Sequence, residues 1–393
     1  MVENKDKKVL NVPNLRFPEF EGEWEKCKLG DITQNFTRRN KEKIQYPMFS
    51  VTNERGFVPQ SEQFEGRDMV GDDIKAYKII QSQEFAYNPA RINVGSIAMY
   101  SGKVPCMISS LYVCFKTTQK VDDEWLMQLL KTAKLNYCYN VNGEGGVRVY
   151  LFYPNFARIR VSLPSLTEQK KIACFLNLLD ERISTQNKII DKLQSLIKGI
   201  SNKLLNMDNG IPICLGEILT ERLDRTKKNN QHEILSSTVK GIFSQREYFS
   251  KDIASENNIG YKVIHLHDIV LSPQNLWMGN INFNDKFDIG IVSPSYKVFS
   301  IADGFDKKYV AALLKTHHAL YNYMLVSEQG ASIVRRNLNY EAFEQLVFKI
   351  PSLNKQREIG HALSLLKSRL ENANLLIKTY NSQKQFMLRQ MFI

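Results

Sequence analysis

The sequence is written twice. Leu163-Pro164-Ser165-Leu166, followed by Gln169 and Ile172, recurs 187 residues later as Ile350-Pro351-Ser352-Leu353, followed by Gln356 and Ile359. At the same shift, Arg148, Leu151, Tyr153 and Phe156 return as Arg335, Leu338, Tyr340 and Phe343. Further upstream the shift is 184: Asn88-Pro89 with Gly95 and Ile97 answers to Ser272-Pro273 with Gly279 and Ile281, and Leu129-Leu130-Lys131-Thr132 returns letter for letter as Leu313-Leu314-Lys315-Thr316. Leu29-Gly30-Asp31-Ile32 matches Leu215-Gly216-Glu217-Ile218 at a shift of 186. An ordered series of this kind means a tandem duplication, and the changes of shift mark insertions in loops between retained elements.

Each copy has two parts. After each P-S-L the pattern becomes a heptad seam, with Ile172, Leu176, Leu179, Ile183, Gln186, Ile190, Leu193, Ile197, Ile200 and Leu204 in the first. The second runs Ile359, Leu363, Leu366, Leu370, Ala373, Ile377, Tyr380, Lys384, Met387 and Met391. Alternating steps of four and three over this length predict two long helices that pair as a coiled coil. At about 1.5 Å per residue the first seam is roughly 50 Å long, and antiparallel pairing would set the two mixed domains at opposite ends of the rod. Gln186 and Lys384 are the polar exceptions, expected near an edge and snorkelling, respectively. Ser165 and Glu168 fit a capping box, whereas the second copy has Lys355 at the matching place.

The regions ahead of the helices, about 13–158 and 211–347, alternate short strand-like runs with turn residues. Ile108 to Lys116 and Val292 to Ser300 read as strands. Asp122-Asp123-Glu124 opens a helix to about Tyr139, and Asp306 opens its counterpart to about Val326. The predicted fold class is α+β: two tandem-repeated domains, each followed by a long helix, the helices forming an antiparallel coiled coil. The expected boundaries are 1–162, 163–209, 210–349 and 350–393.

The net charge of +12 favours a polyanionic partner without saying which one. Basic loops follow each L-G-[DE]-I, carrying Arg38, Arg39, Lys41 and Lys43 in one copy and Arg225, Lys227, Lys228 and Asn230 in the other. A second polar cluster beside glycine brings Arg148 in one copy and Arg335, Arg336 and Asn337 in the other. A third matched loop holds Arg91 and Asn93, with Gln274 and Trp277 in its counterpart. Any one basic loop is ordinarily a solvated surface. Recurrence at the same places in both copies favours contacts to phosphates and base edges, although Trp277 also suits a core.

Chemistry is harder to find. The six cysteines form no C-x-x-C pair, and His265-x-His267 has only Asp268 at metal-site spacing, so ordinary structural histidines and no metal site are expected. There is no P-loop motif, and Asn88-Pro89-Ala90-Arg91 lacks the second proline and the aromatic residue of an adenine methyltransferase motif. Glu168-x-Lys170 lacks the preceding aspartate of a nuclease motif. Without a signal peptide or a membrane-spanning run, a cytoplasmic location is expected.

The order of these features resembles the specificity subunit of type I restriction–modification systems. The residues that carry the likeness are the P-S-L-x-x-Q-x-x-I starts at Pro164 and Pro351, the L-G-[DE]-I starts at Leu29 and Leu215, and the opening Pro13-Asn14-Leu15-Arg16-Phe17 through Trp24. The resemblance implies two target-recognition domains, each reading one half of an interrupted double-stranded DNA target, separated by antiparallel helices. It implies two modification (methyltransferase) subunits docked on those helices, and restriction (translocase/endonuclease) subunits that join them. S-adenosylmethionine, ATP and Mg would then belong to the partners, and this chain would bind no cofactor, touch no membrane and catalyse nothing. The alternatives are a specificity subunit of a related system with one fused cutting-and-methylating partner, a coiled-coil scaffold or adaptor, and an unrecognised nuclease.

Overall fold

The computed structural model describes residues 10–63, 74–145, 149–205, 210–248, 257–329 and 336–393. The chain divides into one unit of Met1–Gln186 with Leu376–Ile393 and another of Asn187–Leu375. Each unit holds one mixed domain, the beginning of one long helix and the end of the other.

In the first unit, strand Glu25–Lys28 pairs antiparallel with Arg160–Leu163, and the L-G-D-I motif makes a single helical turn between that strand and the next. Leu29 and Ile32 are fully buried in the core, and the Asp31 carboxylate accepts from the Lys28 N–H at 2.7 Å. Gly30 is required by close packing, because a Cβ there would sit 3.0 Å from Cβ of Ala157 on the short helix Tyr153–Arg158. The second copy repeats the device: Gly216 faces Glu344 and Glu217 caps Cys214. The motif is therefore a junction, with two apolar anchors, one cap and one clearance.

An antiparallel four-stranded sheet follows, in the order Thr33–Phe36, Val113–Thr117, Phe85–Tyr87, Ile97–Met99. Its equivalent in the second unit is Leu219–Glu221, Lys297–Ile301, Ile269–Leu271, Ile281–Phe283. The continuous strands expected over 108–116 and 292–300 are each interrupted. Cys106–Ile108 pairs with Lys78–Ile80, the chain turns with Tyr112 N–H donating to Ser109 O at 3.2 Å, and only then does Val113–Thr117 enter the main sheet. Ser293 and Tyr296 make the same turn in the second unit. The expected single domain helix is likewise two helices in each copy, Asp123–Leu130 with Ala133–Asn142, and Lys307–Leu313 with His317–Leu325. The break falls on the repeated L-L-K-T, where the extended Thr132 and Thr316 cap the following helix through their hydroxyls.

The long helices span Leu166–Leu205 and Leu353–Met391. In the first unit, Ile172, Leu176 and Leu179 share one core with Leu388 and Met391. In the second unit, Ile359 and Leu363 share a core against which Ile200 packs. In both units the start of one helix meets the end of the other, so the pair is antiparallel. Burial follows the four-three spacing: Ile190 is buried, and Ile183, Leu193, Leu366, Leu370 and Ile377 are half-buried. Gln186 is not at an edge but buried at 8% exposure, and Lys384 forms an ion pair with Asp180.

The glutamine of each P-S-L-x-x-Q joins helix to domain. Gln169 accepts from the Asp122 N–H at 2.8 Å and donates to the Pro164 carbonyl at 2.9 Å. Gln356 does the same with Asp306 and Pro351, at 2.9 Å each. Glu168 does not complete a capping box. Its buried carboxylate is clamped by the Arg16 guanidinium at 2.8 Å on both oxygens and approached by Trp24 Nε1 at 3.2 Å. The opening segment P-N-L-R-F is thus tied to the first long helix.

Candidate nucleic-acid interface

Three loops of the first mixed domain present the residues singled out from the sequence. In the loop after the L-G-D-I turn, Arg39, Lys41 and Lys43 are exposed, while the buried Asn40 closes it by hydrogen bonds in both directions with the Ile44 backbone. Arg38 is half-buried and engaged within the fold. Its guanidinium makes two 2.8 Å bonds to Glu84 and lies 5.0 Å over the Phe36 ring. Hydrogen bonding to Glu84 raises its pKa, against the opposing pull of burial. Arg222 and Asp268 form the matching clamp in the second unit, at 2.9 and 3.2 Å, with Arg222 raised for the same reason. The backbone counterpart of Arg38 in that copy is Asp224, two residues beyond Arg222, whose carbonyl accepts from the Val263 N–H as that of Arg38 accepts from the Ile79 N–H. Side chains two apart in an extended chain share a face, so either position reaches the carboxylate. Asp268, the carboxylate near His265 and His267, is therefore already engaged.

In the second copy of this loop, Lys227 and Lys228 are exposed. Arg225, also exposed, donates to the Gly260 carbonyl at 2.9 Å. Asn230 is exposed as well, and its side-chain oxygen accepts from the buried Asn258 at 2.7 Å.

The turn after Pro89 is a 3₁₀ segment closed by Gly95 at φ +98°, and its counterpart ends at Gly279, φ +89°. A side chain at either position would be strained, which accounts for the repeated glycine. The turn leaves Arg91 exposed and holds Asn93 by a 2.9 Å bond to Asn140. Gln274 is exposed, and its carbonyl accepts from the Arg336 N–H. The Arg336 guanidinium lies 4.8 Å over Trp277 and donates to the Met324 carbonyl, so it braces the loop, and Trp277 is half-buried. Asn337 is exposed. Arg148 and Arg335 lie outside the described residues.

Arg91 separates two clefts. One, of about 460 Å³, is lined by residues 50–55 of a hairpin together with Asn88, Arg91 and Tyr112. The other, of about 710 Å³, is lined by Asn88, Arg91, Leu111, Tyr150 and Phe152, with the last two rings stacked 6.2 Å apart.

The hairpin bearing Asn53 to Arg55 was not foreseen from the sequence. Phe49–Thr52 pairs with Gly56–Pro59, and Leu235–Thr238 pairs with Gly241–Ser244 in the second unit. Both are closed by a threonine hydroxyl donating to a glycine carbonyl, Thr52 to Gly56 at 3.1 Å and Thr238 to Gly241 at 3.3 Å. The usable signal was a threonine and a glycine bracketing polar residues between short apolar runs, and the unequal loop lengths hid it from the repeat.

Comparison with known proteins gives a consistent answer. Residues 21–195 match the family described as Type I restriction modification DNA specificity domain. The chain is 26% identical over 207 residues to the protein named as the type I restriction enzyme MjaX specificity subunit of Methanocaldococcus jannaschii, covering 50% of this chain and 49% of that one. It is 27% identical over 209 residues to the MjaVIII specificity subunit of the same organism, covering 51% and 45%. The chain thus spans about half the length of the curated relatives it matches. The S subunit of a type I restriction–modification system from M. genitalium shares the fold, with a TM-score of 0.63 at 12% identity over 97% of this chain and 99% of that one. Residues 21–195 thus match a type I restriction modification DNA specificity domain, and the chain is similar to specificity subunits of type I restriction–modification systems in sequence over about half its length and in fold over nearly all of it.

Proposed function

We propose that this chain reads a bipartite, interrupted DNA sequence and brings to it the subunits that methylate and cut. The observation that carries the reading is the duplication of one presenting surface. Both units hold a basic loop after the L-G-[DE]-I turn, a glycine-closed 3₁₀ turn and a hairpin on the same sheet framework, with different side chains at their tips. Two related but unequal readers suit two unequal half-sites. Exposed lysines and arginines would hold phosphates and set the register, while side chains that reach base edges would carry the sequence information.

The chain contributes recognition rather than catalysis. Two modification subunits would supply adenine methylation with S-adenosylmethionine, and restriction subunits would supply ATP- and Mg-dependent translocation and cleavage. Among the described residues no helix is long and apolar enough to cross a membrane. A genome-wide map of N6-methyladenine, with the gene intact and deleted, tests the proposal. Loss of methylation at one split motif with a fixed spacer supports it. If methylation is unchanged although a partner methyltransferase is expressed and active, the scaffold reading takes its place.

A further inference from the structure

The two hairpins are each held at the base by side-chain hydrogen bonds. Each is a separate two-stranded ribbon rather than part of the four-stranded sheet, and each is pinned to that sheet at the same point. In the first unit, the buried Ser96 donates to the Val51 carbonyl at 2.7 Å. In the second, Asn280 donates to the Ser237 carbonyl at 3.1 Å. Asn282 adds bonds of 2.7 Å to the Ser237 hydroxyl and the Thr238 carbonyl. Tyr112 and Tyr296 supply a second clamp on the same strand residue: the Val51 N–H donates to the Tyr112 hydroxyl, and the Tyr296 hydroxyl donates to the Ser237 carbonyl. All these bonds converge on the strand leading into the tip, and the tips themselves stay exposed.

The tips are also where the two units diverge. The first presents three residues, Asn53-Glu54-Arg55, which together offer hydrogen-bond donors and acceptors. The second presents two, Val239-Lys240, one apolar and half exposed, the other cationic. Among the described residues Arg55 pairs with Glu62 at 3.7 Å, with both side chains about 60% exposed. An exposed pair of this kind holds its arginine weakly.

We infer that these hairpin tips are the specificity-determining elements, Asn53-Glu54-Arg55 for one half-site and Val239-Lys240 for the other, with Arg91 lining the same 460 Å³ cleft as the first tip. The proposal rests on the DNA-reading function and adds the location of the reading. A two-stranded ribbon fits the major groove, where asparagine pairs with adenine, arginine with guanine, glutamate accepts from the cytosine amino group, and an apolar side chain meets the thymine methyl. A ribbon clamped at its base reaches base edges with little ordering left to do on binding, unlike a long polar loop.

The test is selection of bound duplexes from a randomised DNA library by the full chain, together with whatever subunits co-purify with it. The chain is compared with a variant whose residues 53–55 are replaced by valine and lysine, giving the first hairpin the length and chemistry of the second. Glu54→Gln and Arg55→Gln keep the loop length and guard against a misfolded swap, and thermal unfolding checks that each is intact. The expected result is a changed preference at a few adjacent positions of one half-site, with the other half-site and the spacer unaltered. Each single substitution should relax discrimination at one base pair by about tenfold. Folded variants that select the same sequence as the unaltered chain overturn the inference and leave the DNA-reading function standing. If the unaltered chain selects no sequence, the DNA-reading function itself fails, and this inference with it.

Discussion

Two polar side chains, one buried and one partly buried, show how single residues act within each unit. Gln169 is fully buried, and its amide serves a helix cap and a proline carbonyl at once. Replacing it with leucine keeps the volume but strands these partners and the Lys120 carbonyl, which also accepts from it, so Gln169→Leu should cost about 1–3 kcal/mol in denaturant unfolding. Lys315 sets a different problem. Its ammonium donates to the Gly279 carbonyl at 2.8 Å and to Asn282 at 2.9 Å, yet burial first, and the charge of Lys367 second, bring its pKa down to about 8. The folded value lies below that of the unfolded chain, about 10.4. Between those values the unfolded state binds more protons, so this residue's contribution makes stability rise with pH. Below pH 8 both states are charged and the penalty is constant; above about 10.5 it is gone. The stability difference between Lys315→Met and the unaltered chain should therefore be flat below pH 8 and shift in favour of the unaltered chain up to about 10.5. A difference that does not change with pH would show that Lys315 is not depressed. Methionine also loses two hydrogen bonds, which makes the slope, and not the offset, the informative quantity.

Among the elements, the long helices separate positions that look alike in composition. Leu176 is fully buried, whereas Leu178 is 54% exposed two residues away. Leu176→Ala should cost about 2–5 kcal/mol by the loss of packing and the cavity left behind, and Leu178→Ala less than about 0.5; urea titrations of the two variants give the comparison. The seam was legible because helical periodicity survives any loop chemistry around it. The L-L-K-T repeat was visible too, but not as a break, since Leu129, Leu130 and Leu135 continue an apolar pattern and only the cap made by Thr132 shows that the chain turns. The tips of the reading surface were the least legible. Arg38 and Asn230 look like ligand residues by type, but Glu84 and Asn258, the residues that engage them, lie 46 and 28 positions away. Residue type said little about which polar groups the fold uses for itself.

For the whole molecule, the first long helix runs without interruption from the end of one mixed domain toward the start of the next, and the second lies antiparallel to it within each unit. Matched insertion of seven residues in both helices, between Ile183 and Ile200 and at the facing turns of the second, adds about 10.5 Å of helix while keeping the seam in phase. The methylated motif should then keep its two half-sites and change its spacer, as read from an adenine-methylation map; an unchanged spacer would mean that the helices do not set it. The pairing also fixes an order of events during synthesis. The core of the first unit is closed by Leu388 and Met391, with Phe392 against Trp125 and the Gln390 carbonyl bonded to the Leu15 N–H. Residue 186 leaves the ribosome 190 residues before residue 376 (376 − 186), a delay of roughly 10–40 s at ordinary elongation rates. Throughout that interval Leu176 and Leu179 lack their cover. The half of the protein that is made first is finished last, and until then its open groove is free to take the wrong helix.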